Sequence, residues 1–311
     1  MTQRTHLVLG AGPIGTRLAL SLARTGVPVR VVTRRGAGPV HERIERVAAD
    51  ASDSDVLARL AEGVEVIYNC ANPQYHRWAT DWPPIAASLL AAAESSGAVL
   101  VSCSNLYGYG PVDHPIREDD PLRGNEKGQI RATMWRDALA LHEQGRIRTA
   151  EARGSDYLGA GPNSLFGDML MPRLLAGKRL TLVGNLDARH TYTYVDDMVT
   201  TLAALGSDER AWGRAWHVPS AITCSQREAV AELAAAANVS PPAVNRIPWP
   251  VLRTAGLVVK FMGELKHTRY QWDADFVMDS TAATRELGLQ ATDPADVWRA
   301  VVAQYRVPVA A

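Results

Sequence analysis

The sequence predicts an α/β protein: a doubly wound parallel sheet with a smaller C-terminal lobe. Three observations predict it. Short apolar runs alternate with helical stretches through the first half of the chain, the pattern of a parallel sheet covered on both faces. The first apolar run ends in a glycine-rich turn, "GAGPIG", that leads straight into a helix. After Gly161 the alternation loosens, and proline breaks at Pro162, Pro241-Pro242 and Pro248-Trp249-Pro250 separate segments of helical character. These features divide the chain at residues 1–160, a dinucleotide-binding unit, and 161–311, mainly a substrate lobe with segments that return to the first unit.

Composition excludes several classes. The 311 residues suffice for a full core. Lys plus Arg and Asp plus Glu both number 33, and no basic run occurs, so nothing points to nucleic acid or an anionic membrane. Cys70, Cys103 and Cys224 are scattered, which argues against a disulfide framework or a zinc site and for a reducing compartment. No apolar stretch suits a signal peptide or a membrane span. The expectation is a soluble cytoplasmic protein acting on a small molecule.

The elements follow in order. "HLVLG" is the first strand, and Gly10, Gly12 and Gly15 form G-x-G-x-x-G ahead of a helix from Ile14 to about Thr25. Gly10 permits the turn, Gly12 lets backbone approach a pyrophosphate, and Gly15 packs helix on strand. Pro13 and Ile14 open the helix, whose free N–H groups favour anions. "VPVRVVT" is the second strand. At its end, where an acid would hold the ribose of NAD, stand Thr33, Arg34 and Arg35. Two guanidiniums suit a 2′-phosphate, which favours NADP(H) over NAD(H); the plainer alternative is a solvated basic turn. "ERVAAD" is the third strand. It brings Asp50 and Ala51 towards the adenine, unless Asp50 is only a strand-end cap. "VEVIYNCAN" is the fourth, with Ala71 along the nicotinamide side. "AVLVSCSNLYGYG" is the fifth and its exit loop.

These residues resemble the short-chain dehydrogenase/reductase superfamily, in its extended, epimerase/dehydratase-like branch. That resemblance implies a Rossmann fold. "GAGPIG" resembles the phosphate turn, although the extended branch more often spaces its glycines G-x-x-G-x-x-G. "VSCSNLYGYG" resembles the strand that carries the Ser/Thr and a Tyr-Gly pair. "EARGSDYLGAG", "TYTYVDDMVTTL" and "DSTAATRELGL" resemble later segments in the right order.

One motif departs. The family's Tyr-x-x-x-Lys falls on Lys127-Gly128-Gln129-Ile130-Arg131, so lysine takes the tyrosine slot and arginine the lysine slot. The Ser/Thr slot falls on Cys103, or on Ser104 with a one-residue slip. At i and i+4 the two cations share a helix face. By the resemblance, Arg131 would bind the cofactor ribose. Lys127 would protonate or stabilise a developing alkoxide, with Ser104 holding the oxygen. Without the resemblance, the pair reads as a solvated helix face. Cys103 is a candidate nucleophile or a small buried filler. Tyr107 and Tyr109 are candidates for the missing phenol or packed loop residues. Tyr75 and Trp78 lie where a substrate lid would be, and Arg189, His190 and Tyr192 lie further along the expected cleft. Asp196 and Asp197 read as helix caps. No metal ligand set is evident.

The expected activity is NADP(H)-dependent hydride transfer at a carbonyl or alcohol carbon. The alternatives are an epimerase or dehydratase working by transient oxidation, or a non-catalytic NADP-binding regulator. A homodimer through the helices near Trp82–Ser96 and Lys127–Gln144 is the family-like assembly.

Overall fold

The computed structural model describes residues 5–159, 164–255 and 263–306. Seven strands build one parallel sheet: β1 (Thr5–Leu9), β2 (Val29–Thr33), β3 (Ile44–Ala48), β4 (Val64–Asn69), β5 (Val99–Asn105), β6 (Arg148–Gly154) and, later in the chain, β10 (Arg214–His217). Their order is β10-β6-β5-β4-β1-β2-β3. Each pairing is parallel. The order reverses between β1 and β4, which opens a crevice beyond the strands' carboxyl ends.

Continuous apolar strands bury both faces. In β1, Val8 enters one core, with Leu18 and Leu22 of α1 (Pro13–Arg24) and Leu202 of α6 (Val195–Ser207). Its neighbours Leu7 and Leu9 enter the other, with Leu57 of α2 (Ser54–Ala61), Leu89 of α3 (Trp78–Ser96) and Ala138 of α4 (Glu126–Glu143). The expected doubly wound architecture is therefore present.

A third core lies beneath small sheets. β7 (Asp156–Leu158), β9 (Arg189–Tyr194) and β11 (Ile222–Ser225) form one, ordered β11-β9-β7. β8 (Leu180–Val183) pairs in parallel with β12 (Val244–Ile247). They pack with α5 (Met171–Leu175), α7 (Gln226–Ala236) and the final helix, α11 (Pro294–Arg306). Between them run α8 (Trp249–Ala255), α9 (Arg269–Asp273) and α10 (Thr281–Leu287). Ala282 and Ala283 of α10 return to the first core, as do α6 and β10.

Three local expectations change. The third strand ends at Ala48, and Asp50 sits in the turn beyond it. Helix α3 begins at Trp78, ahead of the start expected near Trp82, and runs through Pro83 and Pro84. The two prolines supply no N–H to the preceding turn, but burial of Trp78 and Trp82 anchors that turn. The segment after Ser164, read as helical, holds only the short α5 before turning into strand β8. Its end is set by Gly177 at φ +63°. The expected boundary at 160/161, with Gly161 and Pro162, and residues 256–262 of an expected helix, lie outside the described residues.

Candidate active site

The crevice begins at the β1–α1 turn. Gly10 sits at φ +95°, and a Cβ there would lie 2.7 Å from the Cys70 carbonyl. A Cβ on Gly15 would collide with the Gly10 carbonyl, whereas one on Gly12 would meet nothing within 4 Å. The turn is thus packed tight on both sides of one open position. No side chain caps α1, and Pro13 stands in its first turn. The amides of Ile14 and Gly15 are left for a ligand, at the positive end of the helix.

Beyond β2, Thr33 donates to the Ala37 carbonyl at 2.9 Å and shapes the turn. Arg34 and Arg35 follow it, exposed and outside every ion pair of the described residues. The Arg34 charge is felt at Asp50, whose carboxyl is held below its usual range mainly by hydrogen bonds from Ser52. Asp50 is therefore engaged in its own turn. Ala51 is buried behind it, and Ala71 donates its N–H to Asn69 at 3.2 Å.

Lys127 and Arg131 are buried, not solvated. Gly128 lets the start of α4 lie against the Tyr107 backbone, where a Cβ would collide. Lys127 Nζ lies 2.8 Å from Glu264 Oε2 and donates to the Tyr75 carbonyl at 2.6 Å. The Arg131 guanidinium lies 4.6 Å from the Trp78 ring and 4.3 Å from the Trp82 ring. Its Nε is buried with no hydrogen-bond partner among the described residues. Burial lowers its pKa.

The strand-end candidates cluster beside it. Ser104 is buried and its Oγ has no partner among the described residues. Cys103 packs against the first core, 3.9 Å from the Tyr157 hydroxyl, and burial pushes its thiol up to about 11. Tyr107 sits at 6.3 Å from the Tyr75 ring and 6.0 Å from Trp78. Desolvation raises the Tyr107 hydroxyl well above its ordinary value, and that of Tyr75 as well.

The remaining candidates divide. Tyr109 turns away into a buried chain: Arg153 donates to its hydroxyl at 2.6 Å, and that hydroxyl lies 2.8 Å from His217 Nε2. Arg189 is exposed on β9, where its backbone N–H donates to Asp275. Tyr192 is buried in the third core. His190 is buried between lobes, stacked 4.5 Å from Trp272 and 2.8 Å from Asp156. Asp196 and Asp197 do not cap α6: they stand in its first turn, two and three residues past the cap, Tyr194. Asp196 pairs with Arg17, and Asp197 accepts from Thr292.

Sequence reasoning missed Asp156, Tyr157 and Glu264. For Asp156 a signal existed: it follows the carboxyl end of β6 by two residues, inside the quoted "EARGSDYLGAG". Glu264 had none: it stands near the end of a stretch, 248–265, expected only to be helical, and its partner lies on a distant helix. Among the described residues no group of His, Cys, Asp and Glu forms a metal site, and no helix is long and apolar enough to cross a membrane.

The family model described as NAD dependent epimerase/dehydratase family matches residues 6–217. No curated protein sequence matches the chain. Among solved structures, the UDP-glucose 4-epimerase of Thermotoga maritima, solved with UDP-glucose, superposes with a TM-score of 0.79 at 15% identity, over 97% of this chain and 98% of that one. The dTDP-glucose 4,6-dehydratase DesIV of Streptomyces venezuelae, solved with NAD, gives 0.76 at 22%, over 97% of each chain. Epimerase Mth375 of Methanothermobacter thermautotrophicus gives 0.81 at 18%, over 97% of this chain and 92% of that one. At these identities the likeness is one of fold.

Proposed function

The chain belongs to the NAD dependent epimerase/dehydratase family, and from that premise we propose that it is an NADP(H)-dependent oxidoreductase acting at a carbonyl or alcohol carbon of a small metabolite. The observation that carries the proposal is the pairing of an open Gly12 over an uncapped helix start with two unpaired arginines beyond β2. The first feature fits a pyrophosphate and the second a 2′-phosphate.

In this reading, the Ile14 and Gly15 amides hold the pyrophosphate, and Arg34 and Arg35 hold the 2′-phosphate. Arg131, whose Nε has no partner among the described residues, binds ribose hydroxyls. When bound, the cofactor supplies a hydride donor or acceptor. Ser104 offers an unpartnered hydroxyl to a substrate oxygen. Lys127 stabilises charge electrostatically. Its engagement with Glu264 and the Tyr75 carbonyl favours that task over the proton donation expected from sequence. A homodimer through α3 and α4 belongs to the same proposal.

A second reading, epimerisation or dehydration by transient oxidation, draws support from the fold neighbours named for those reactions. Net change in nicotinamide absorbance separates the two. The founding test is calorimetric titration with NADPH and, separately, NADH. Binding of NADPH that Arg34→Ala/Arg35→Ala removes upholds the proposal. If neither dinucleotide binds at millimolar concentration, the proposal fails.

A further inference from the structure

We propose that Asp156 and His190 form the proton-carrying group of this site, with Asp156 taking a substrate hydroxyl proton on oxidation and returning it on reduction. The inference rests on the dinucleotide reading above. It names the group that replaces the missing tyrosine.

Position comes first. Asp156 opens β7, just past the carboxyl end of β6, the strand that pairs with Cys103 and Ser104 of β5. Its side chain is 27% exposed, while that of His190 is 3% exposed. The carboxylate therefore stands between the cleft and a buried imidazole. The ring is fixed from three sides: it stacks on Trp272 at an interplanar angle of 6°, Nδ1 lies 3.2 Å from the Gln271 carbonyl, and Nε2 lies 2.8 Å from Asp156 Oδ2. Ser155 Oγ is 3.4 Å from the same Nε2.

Proton count comes second. A carbonyl only accepts, so Nδ1 must carry a hydrogen towards Gln271. An ionised carboxylate also only accepts. The 2.8 Å contact between Nε2 and Asp156 therefore needs a second hydrogen, shared between imidazole and carboxyl. His217 makes the contrast. Its Nδ1 faces the Asp279 carbonyl at 2.7 Å, but its Nε2 faces a tyrosine hydroxyl, which can donate, so a neutral ring satisfies both contacts. The chain thus holds one histidine built to be neutral and one built to share a proton with an acid.

Elimination comes third. The titratable groups facing Asp156 are Tyr75 from the turn before α3, Tyr107 from the loop after β5, Tyr192 from β9 and Tyr270 from α9. Desolvation first, and the Asp156 charge further down, push all four phenols up. Arg131 opposes the rise at Tyr107, and Lys127 Nζ lies 4.8 Å from the Tyr75 ring, yet desolvation outweighs the cation and both hydroxyls stay raised, away from the range of a useful acid near neutrality. Lys127 is held by Glu264, and Cys103 packs, partly buried, against the first core.

The step balances. A substrate hydroxyl gives its proton to Asp156 Oδ1, its carbon gives two electrons as hydride to the cofactor, and a C=O bond replaces the O–H and C–H bonds. The proton then passes to the solvent that reaches Asp156.

The experiment needs no substrate. Oxidised nicotinamide carries a positive charge that the reduced ring lacks, so it favours the deprotonated pair. Dissociation constants for NADP+ and NADPH are measured from about pH 5 to 8 on the full-length protein. The expected result is that affinity for NADP+ relative to NADPH rises about tenfold as pH rises. Asp156→Asn should bind NADPH within a few-fold of wild type and flatten that slope, and His190→Gln should flatten it too. A flat wild-type ratio overturns the inference without reference to any variant that fails to fold. So does an unchanged slope in Asp156→Asn. Absence of binding by either dinucleotide at every pH overturns the cofactor reading, and this inference with it, which is a different observation from a flat slope.

Discussion

Lys127 Nζ lies 2.8 Å from Glu264 Oε2, and this contact ties the first turn of α4 to the segment ahead of α9. Lys127, which the sequence resemblance sets in the family's tyrosine slot, therefore bridges α4 and the segment ahead of α9. Its ammonium also reaches the Tyr75 carbonyl and lies 4.8 Å from that ring, so three elements meet at one charge.

Replacing that charge should cost stability more than chemistry. Lys127→Met leaves the Glu264 carboxylate, whose side chain is only 22% exposed, without its counter-charge. Breaking a fully buried pair costs about 3–5 kcal/mol; partial access to water reduces the expected loss to about 2 kcal/mol. Lys127→Met/Glu264→Gln should regain most of it, because no unpaired charge remains. Denaturant unfolding of the four proteins in the cycle measures this. Turnover of Lys127→Met, once a substrate is found, should fall by only about tenfold, the share of an electrostatic contact already shared with Glu264. A loss of several hundred-fold would restore the lysine as the acid.

The two arginines beyond β2 should discriminate between dinucleotides. Arg34→Ala/Arg35→Ala removes charge-assisted hydrogen bonds, each contributing about 1.5–3 kcal/mol, so NADPH affinity should fall at least about 100-fold. NADH affinity should change little, because NADH has no 2′-phosphate. Equal loss for both would mean that the turn attracts dinucleotides by general charge alone.

The glycine turn separates space kept for a ligand from space filled by the fold. Gly12→Ala puts a Cβ where no protein atom lies within 4 Å, at a backbone φ of −71° that any residue adopts. Its melting should match wild type within about 0.5 kcal/mol, the range of changes away from packed features, while dinucleotide affinity falls. Gly15→Ala drives a Cβ into the Gly10 carbonyl and should cost about 3 kcal/mol. Normal NADPH binding by a folded Gly12→Ala would show that no cofactor backbone passes there.

The parts that were legible in the sequence are local. G-x-G-x-x-G followed by a helix, and apolar runs such as "HLVLG", state their structure within a few residues, so the sheet and its phosphate turn could be read directly. The site's electrostatics are non-local. Asp156 meets His190 from another strand, and Trp272 and Gln271 complete that pair from α9. The Arg131 environment depends on Trp78 and Trp82, which lie in a helical turn that two prolines hide from any periodicity argument. Tyr109 shows the same limit in reverse. Its place on the loop after β5 suggested the cleft, yet Arg153 and His217 draw its hydroxyl inwards.

That inward chain gives the last prediction. Arg153, paired with Glu151 at 2.7 Å, donates to Tyr109, which bonds His217, whose other nitrogen meets the Asp279 carbonyl. Desolvation first, and the Arg153 charge after it, pull the His217 pKa down to about 3. Its folded pKa thus lies below the unfolded value of about 6.5, and the unfolded chain takes the proton first as pH falls. The contribution of a neutral His217 is complete above that pH and is lost as pH drops towards 3, by no more than about 1.4 kcal/mol per pH unit. Glu118 and Asp197 act in the opposite sense, since burial raises both carboxyls and the folded chain gains by protonating them. The difference between wild type and His217→Gln therefore isolates the histidine. Unfolding free energies of the two proteins should converge as pH falls from about 6.5 to 4.5. Parallel curves over that window would mean that the ring is already charged in the folded chain, and that the buried chain from Arg153 to Asp279 is held by something other than a neutral imidazole.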